Sequence, residues 1–255
     1  MIPGVTPPAH SFVRDFASAP AETFRVDHHY LVCVSRGVLR LESGGTSWTL
    51  PPARAAIIAA GHPVEIAIPQ AVVSSSALFS PDFVAAPPAP LAVFDLTPLA
   101  RALISECGRW GPNSTWSDHA ASMFRALAAC CWELATRPSP ARMPVGRSPE
   151  VRRALALTEA TIADAPNIEA VAHDVGLASR SLARRFEDEL GMTWRAALRR
   201  ARLLRSIELL AGDESRSIAA IAMDVGYSSL SAFNAAFRDL VGQTPSDYRA
   251  TFRPF

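Results

Sequence analysis

Two stretches decide how this chain is read: 168–193, IEAVAHDVGLASRSLARRFEDELGMT, and 218–244, IAAIAMDVGYSSLSAFNAAFRDLVGQT. They are copies of one pattern. Ile168, Val171, Ala172, Asp174, Val175 and Gly176 match Ile218, Ile221, Ala222, Asp224, Val225 and Gly226 at an offset of 50. One residue is added after the turn, and Leu182, Phe186 and Gly191 then match Phe233, Phe237 and Gly242. In each copy, apolar residues at i, i+3, i+4 and i+7 predict a short helix buried on one face. Gly176 or Gly226 supplies the left-handed conformation that ends it in a tight turn. A second helix follows, with Leu182/Phe186 or Phe233/Phe237 facing inward. Two such helices through a glycine turn are a helix-turn-helix, a fold for reading DNA.

Between the copies, Thr193 predicts the cap of a helix from Trp194 to Ala211, with Gly212 just beyond. Trp194, Leu198, Ala201, Leu204, Ile207 and Leu210 form its core stripe. Eighteen residues span ~27 Å, against ~34 Å between successive major-groove openings on one DNA face. The shortfall predicts modest bending of the DNA.

Charge points to one segment. The 255 residues carry 25 basic and 24 acidic side chains, a formal net charge of +1. Every basic residue is arginine; there is no lysine. From Arg180 to Arg205, eight arginines face three acids, a local net of +5. Arg180 and Arg184 are i, i+4 on the first recognition helix, where arginine forks pair with guanine or phosphate. Arg185, Ser179 and Ser181 complete that candidate face. The second copy offers Ser229 as a cap, and Ser231 and Asn234 as small polar contacts. Arg195, Arg199 and Arg202 form an outer stripe on the linking helix, suited to phosphates.

Composition and proline mark the halves. Apolar residues are 49% and charged residues 19%, which excludes a disordered chain. Eighteen of 21 prolines lie in residues 1–149, so helix is concentrated beyond them. The segment Thr136–Glu150, TRPSPARMPVGRSPE, reads as a solvated linker. Upstream, Tyr30–Val34, Val38–Glu42, Ser47–Leu50, Ala55–Ala59, Val64–Ile68 and Val72–Phe79 read as strands of a small antiparallel barrel or sandwich that Pro87–Pro90 ends. Two helices then follow: Leu96–Trp110, and one capped by Ser117 with Met123, Leu127, Cys130, Cys131 and Leu134 on a stripe. They pack on the barrel, form a dimer interface, or do both. The four cysteines have no metal-like spacing and read as buried reduced thiols, with a redox sensor as the alternative. No membrane span and no signal peptide are predicted, so the expected location is cytoplasmic.

The half from Val151 to Arg253 resembles the DNA-binding domain of AraC-type transcription regulators. The matching signatures are ARLLRSIELLAG and SIAAIAMDVGYSSLSAFNAAFRDLVGQTPSDYR, closing on Gly242, Thr244, Pro245, Tyr248 and Arg249. The resemblance implies binding to double-stranded DNA in two adjacent major grooves, as a homodimer, with RNA polymerase as a further partner. Two positions depart from it. The family's serine at the start of the first recognition helix falls on Ala178, leaving Ser179 to cap. Its basic residue in the second recognition helix falls on Ala235. The N-terminal half resembles the cupin-like sensor domain of such regulators, which implies a small-molecule effector. His28, Tyr30, Trp48 and His62 are the candidate pocket residues, with His29, Phe79 and Phe83 as further aromatic candidates. Neither the adjacent His28 and His29 nor Glu22 and Glu42 have the spacing of a cupin metal site.

The expected architecture is therefore α+β in two domains: an N-terminal cupin-like antiparallel barrel or sandwich with two trailing helices, and a C-terminal all-α domain of two helix-turn-helix motifs joined by a long helix. The expected parts are a sensor domain at 1–94, a helical pair at 95–136, a linker at 137–149 and a DNA-binding domain at 150–255. The helix-turn-helix motifs fall at 168–190 and 218–240. No catalytic residue, metal ligand or cofactor is assigned. The alternative is a cupin-fold metal enzyme fused to a DNA-binding tail.

Overall fold

The computed structural model describes residues 7–52, 54–69, 71–164, 166–212 and 215–251, and of 211 and 212 only the backbone. Residues 1–6, where no signal peptide is expected, and Arg253, the end of the resemblance, lie outside these. The described chain divides into two compact units, 1–43 with 50–139, and 44–49 with 140–255.

The first half is built from β1 (Ala9–Phe16), β2 (Ala19–Phe24), β3 (His29–Arg36), β4 (Leu39–Ser43), β5 (Thr46–Leu50), β6 (Arg54–Ile58), β7 (Val64–Ile68), β8 (Val72–Phe79) and β9 (Leu91–Asp95). Helices α1 (Pro98–Cys107) and α2 (Asp118–Ala135) follow, then a short strand β10 (Arg142–Pro144). One sheet runs β1-β8-β3-β6-β9; a second has β7 between β4 and β2, and in the second unit β10 pairs with β5. The pairings of known register are all antiparallel. The six expected strands are present within a residue or two. Strands β1 and β2 were not expected, and Pro87–Pro90 does not end the sheets, because β9 follows it and pairs with β6. That pair carries a fully buried Arg54, whose Nε donates to Asp95 Oδ1 at 2.9 Å across the register. A buried guanidinium without such a partner would be strongly destabilising.

Helix α2 starts as expected, with Ser117 accepting from the Ala120 amide. The inward stripe centres on Phe124 rather than Met123: Phe124, Leu127, Ala128 and Cys131 are buried, while Met123 and Cys130 are only half covered. Phe124 meets Phe79 edge-on at 6.0 Å, so Phe79 belongs to this core. Leu99 of α1 is exposed.

All four cysteines are free thiols. Burial pushes Cys33 and Cys107 up to about 12, and Cys131 higher still. Since the thiolate is the nucleophile, native protein at about pH 8 should alkylate quickly only at Cys130. Peptide mapping after brief N-ethylmaleimide treatment checks this. Rapid labelling of Cys33 or Cys131 would contradict it.

The second half holds α3 (Pro149–Ala160), α4 (Ile168–Asp174), α5 (Ser179–Leu190), α6 (Trp194–Gly212), α7 (Ile218–Asp224), α8 (Leu230–Val241) and α9 (Pro245–Ala250). Part of the expected linker is structured. Strand β10 pairs with β5, Arg142 opposite Trp48, and Ala141 and Met143 are buried. Three strand residues suffice because the partner strand supplies the hydrogen bonds that a proline-rich segment cannot make with itself.

Candidate nucleic-acid interface

The two repeats have the same backbone. At the first turn, Leu177 N donates to Ala172 O at 2.9 Å and Gly176 N to His173 O at 3.0 Å; at the second, Tyr227 N donates to Ala222 O at 2.9 Å and Gly226 N to Met223 O at 2.9 Å. Gly176 and Gly226 sit at φ +74° and +82°. Val171, Ala172, Leu182 and Phe186 are buried in one copy, and Ile221, Ala222, Phe233 and Phe237 in the other. Helix α6 carries both. Its 19 residues span ~28 Å, and Thr193 caps it by accepting from the Ala196 amide at 3.2 Å. All six residues of the expected α6 stripe are buried. Trp194 is fixed further: its indole N–H donates to the buried Thr158 hydroxyl at 3.0 Å.

The closing signature is a helix start and a plug. Thr244 caps α9, accepting from the Asp247 amide at 3.1 Å, while its hydroxyl donates to the Asp247 carboxylate at 2.6 Å. Tyr248 is thereby buried against Phe237, ring centroids 5.6 Å apart.

On α5, Arg180 and Arg184 stand exposed on the outer face, with Ser179 and Ser181 half-buried beside them. Arg185 is turned aside: it is half-buried and pairs with Glu150 at 3.0 Å. Ser179 does not cap α5. The cap position is Ala178, which makes no side-chain hydrogen bond, and Ser179 is the first helical residue. The amides at this end are therefore without a side-chain acceptor. On α8, Ser229 does cap, accepting from the Ala232 amide at 3.3 Å. Ser231 is exposed, but Asn234 is half-buried and its carbonyl oxygen is covered, with no hydrogen-bond partner. Leu230, beside Ser231, is an exposed apolar residue.

Helices α3 and α5 are tied by one carboxylate that the sequence reading did not single out. Glu189 accepts from the amides of Arg147 and Ser148 at 2.6 and 2.7 Å and from the Ser148 hydroxyl at 2.6 Å. Burial alone would push this carboxyl up, but the hydrogen bonds from Ser148 and Arg147 win and hold it below the usual range. A carboxylate lowered on folding stabilises fully above its unfolded pKa, about 4.3, and loses that contribution as pH falls through the folded value. The melting temperature should therefore fall more steeply between about pH 5 and pH 3 in the native chain than in Glu189→Gln. Parallel curves would contradict this.

The first unit holds a cavity of about 270 Å³. It lies between elements of both sheets, lined by Phe16, Phe24, Tyr30, Val32, Ile66 and Ser74 among others. Tyr30 is the one expected pocket residue that lines it. Its hydroxyl is 3.0 Å from Ser76 Oγ, which is 2.7 Å from Ser74 Oγ, a buried row of hydroxyls. Trp48 instead lies on β5 opposite β10. His62 is 3.1 Å from the Ser43 hydroxyl, and His28 precedes β3. His29 is buried and accepts from the Ala60 amide through Nδ1 at 3.1 Å. Burial, with His28 second, holds its imidazole below the ordinary value. Phe83 faces Trp116, 5.6 Å away. The signal for the true lining was the alternation of Tyr30 with Val32 and of Ile66 with Ile68. Among the described residues no group of three or more His, Cys, Asp or Glu is placed to hold a metal ion, and no helix is long and apolar enough to cross a membrane.

A family model described as a helix-turn-helix domain matches residues 171–251. The regulatory protein SoxS of Escherichia coli K12 is 40% identical over 83 residues, which make up 32% of this chain and 77% of SoxS. This chain belongs to the AraC-type family of regulators. The transcriptional activator RhaR of Pectobacterium atrosepticum is also similar, 28% identical over 151 residues, or 59% of this AraC-type chain. The match spans about half of RhaR's own length, 51%. A solved AraC-type regulator from Chromobacterium violaceum is 32% identical, covering 41% of this chain and 92% of its own, with a TM-score of 0.40.

Proposed function

We propose that the chain is a sequence-specific, DNA-binding transcription regulator of the cytoplasm that responds to a small-molecule effector and acts as a homodimer without catalysis. The observation that carries the DNA reading is the pair of helix-turn-helix motifs with duplicated turns on one buried 19-residue helix. Such a helix holds two recognition helices almost one DNA turn apart. Arg180 and Arg184 read bases or phosphates from the first motif, and Ser229 and Ser231 anchor the second. Family membership supports the same reading. A near-neutral total charge limits non-specific affinity, because that affinity scales with the phosphates neutralised.

The effector reading rests on the first unit, a cupin-like sensor in this proposal. Its cavity is mostly apolar, with Thr23, Tyr30, Ser74 and Glu22 as the polar residues of its lining. It suits a compact, uncharged molecule bearing one hydroxyl or carbonyl. The effector acts by binding one arrangement of the regulator more tightly than another.

Footprinting on the DNA flanking the gene tests the DNA reading. The expected result is protection over about two helical turns that weakens as salt is raised. No protection at low salt would sink it. Thermal-shift measurements with small phenols and alcohols test the cavity, since a ligand that binds only the folded state raises stability with concentration. A Tyr30→Phe variant should reduce the shift.

A further inference from the structure

The arginine stripe of α6 lines a second pocket. Arg195, Arg199 and Arg202 lie at i, i+4 and i+7, and with Trp194, Leu198, Pro166 and Tyr227 they line an open hollow of about 410 Å³. No carboxylate lines it. Among the described residues Arg195 has no ion pair. Arg199 has one, a loose contact of 3.5 Å to the exposed Asp239. Three guanidiniums on one face repel each other unless an anion joins them.

The pocket is built rather than accidental. Arg202 is seated: its Nε donates to the Ile162 carbonyl at 3.3 Å, and its guanidinium carbon lies 5.9 Å from the centre of the Tyr227 ring. Gly226 makes the room for it, since a Cβ there would fall 2.7 Å from Arg202 Nη2. Trp194 is pinned through Thr158. The Tyr227 hydroxyl is covered and its oxygen faces the Arg199 guanidinium; a guanidinium only donates, so the O–H itself still lacks an acceptor.

We infer that Arg195, Arg199, Arg202 and Tyr227 form a phosphate-binding site, distinct from the outer faces of the recognition helices. Forked donors in this number match a tetrahedral group with several anionic oxygens better than a single carboxylate. The hydroxyl donates one further hydrogen bond to it. The phosphate comes either from the DNA backbone or from a free phosphorylated molecule, and the chemistry of the site is the same.

The test uses the full chain with inorganic phosphate and pyrophosphate as probes, read by isothermal titration calorimetry in a buffer free of other polyanions. If the site takes free phosphate, binding is saturable. Arg199→Gln then weakens it at least about tenfold, as charge-assisted hydrogen bonds of ~1.5–3 kcal/mol require. Tyr227→Phe weakens it by a smaller factor at unchanged charge. If the site takes a DNA phosphate, free anions do not saturate it. In that case Arg199→Gln lowers the slope of log affinity against log salt by about 1 on every DNA sequence tried. Arg195→Gln is an exposed change that leaves the packing of Arg202 intact, and it should act in the same direction. No saturable anion binding together with an unchanged salt slope overturns the inference. Saturable anion binding upholds the inference even if the chain binds no DNA, and the absence of both anion and DNA binding overturns it.

Discussion

Arg184→Ala should weaken binding to the footprinted DNA by about 10- to 100-fold, equivalent to ~1–3 kcal/mol for a lost bidentate arginine contact. Asn234→Ala, the corresponding test in the second motif, should cost less than about threefold. The difference comes from placement. Arg184 stands exposed on α5, one turn from the equally exposed Arg180. Asn234 is half-buried on α8, and its carbonyl oxygen is turned out of solvent. The other departure, Ala235, removes the cation that the second recognition helix would otherwise present. Measured by fluorescence anisotropy at fixed salt, equal losses for the two variants would contradict this ranking. Arg185→Ala separates DNA contact from folding: its partner is Glu150 at 3.0 Å, so its effect should appear in stability more than in affinity.

Gly226→Ala should destabilise the second half by about 3 kcal/mol or more, and Gly176→Ala by only ~1–2 kcal/mol. Both glycines have left-handed backbones, and an L-residue pays roughly that smaller amount there. The two turns differ in what surrounds them. Nothing lies within 4 Å of a Cβ built on Gly176, whereas one on Gly226 would meet the Ile162 carbonyl oxygen and Arg202 Nη2, each at 2.7 Å. The carbonyl belongs to backbone and cannot step aside without moving the end of α3. Overpacking of this kind adds 1–3 kcal/mol. Urea unfolding followed by circular dichroism checks the pair, and equal midpoints would show that conformation alone governs both turns. Because Gly226 also admits Arg202, the same variant should disturb the arginine pocket.

The repeated half was legible because its information is local. Each helix-turn-helix is specified within about 25 residues by periodic apolar positions, a turn glycine and a capping residue, and short-range signals of that kind survive in a linear reading. Thr193, Ser117 and Ser229 were readable as caps for the same reason. Ser179 was not, because whether a serine sits at the cap or one place inside depends on where the preceding turn leaves the chain. In α5 that place falls on Ala178.

The first half was legible strand by strand and not as a whole. The six expected strands have dense Val, Ile and Leu content. Strand β2, APAETF, has a proline and mostly exposed residues, and it is a strand because β7 lies alongside, with Phe24 opposite Val64. Strand β1 depends on β8 in the same way, Phe12 opposite Ser76. Strand β10 sits in a segment whose composition reads as linker and pairs with β5. The pocket residues follow suit. Tyr30 was found from its chemistry, but Phe16, Phe24, Leu39 and Ile68 line the cavity only because two sheets bring them together.

By itself, then, the sequence determined the duplicated motif, the helix that joins its copies and the segment where positive charge collects, since each is written in spacings of three, four and seven residues. Tertiary structure decided which arginines remain available, which edge strands exist, where the cavity opens and how Arg202 meets Tyr227. Those outcomes depend on contacts between residues far apart in the chain. Pairing energy and burial select such contacts only once the whole chain has folded.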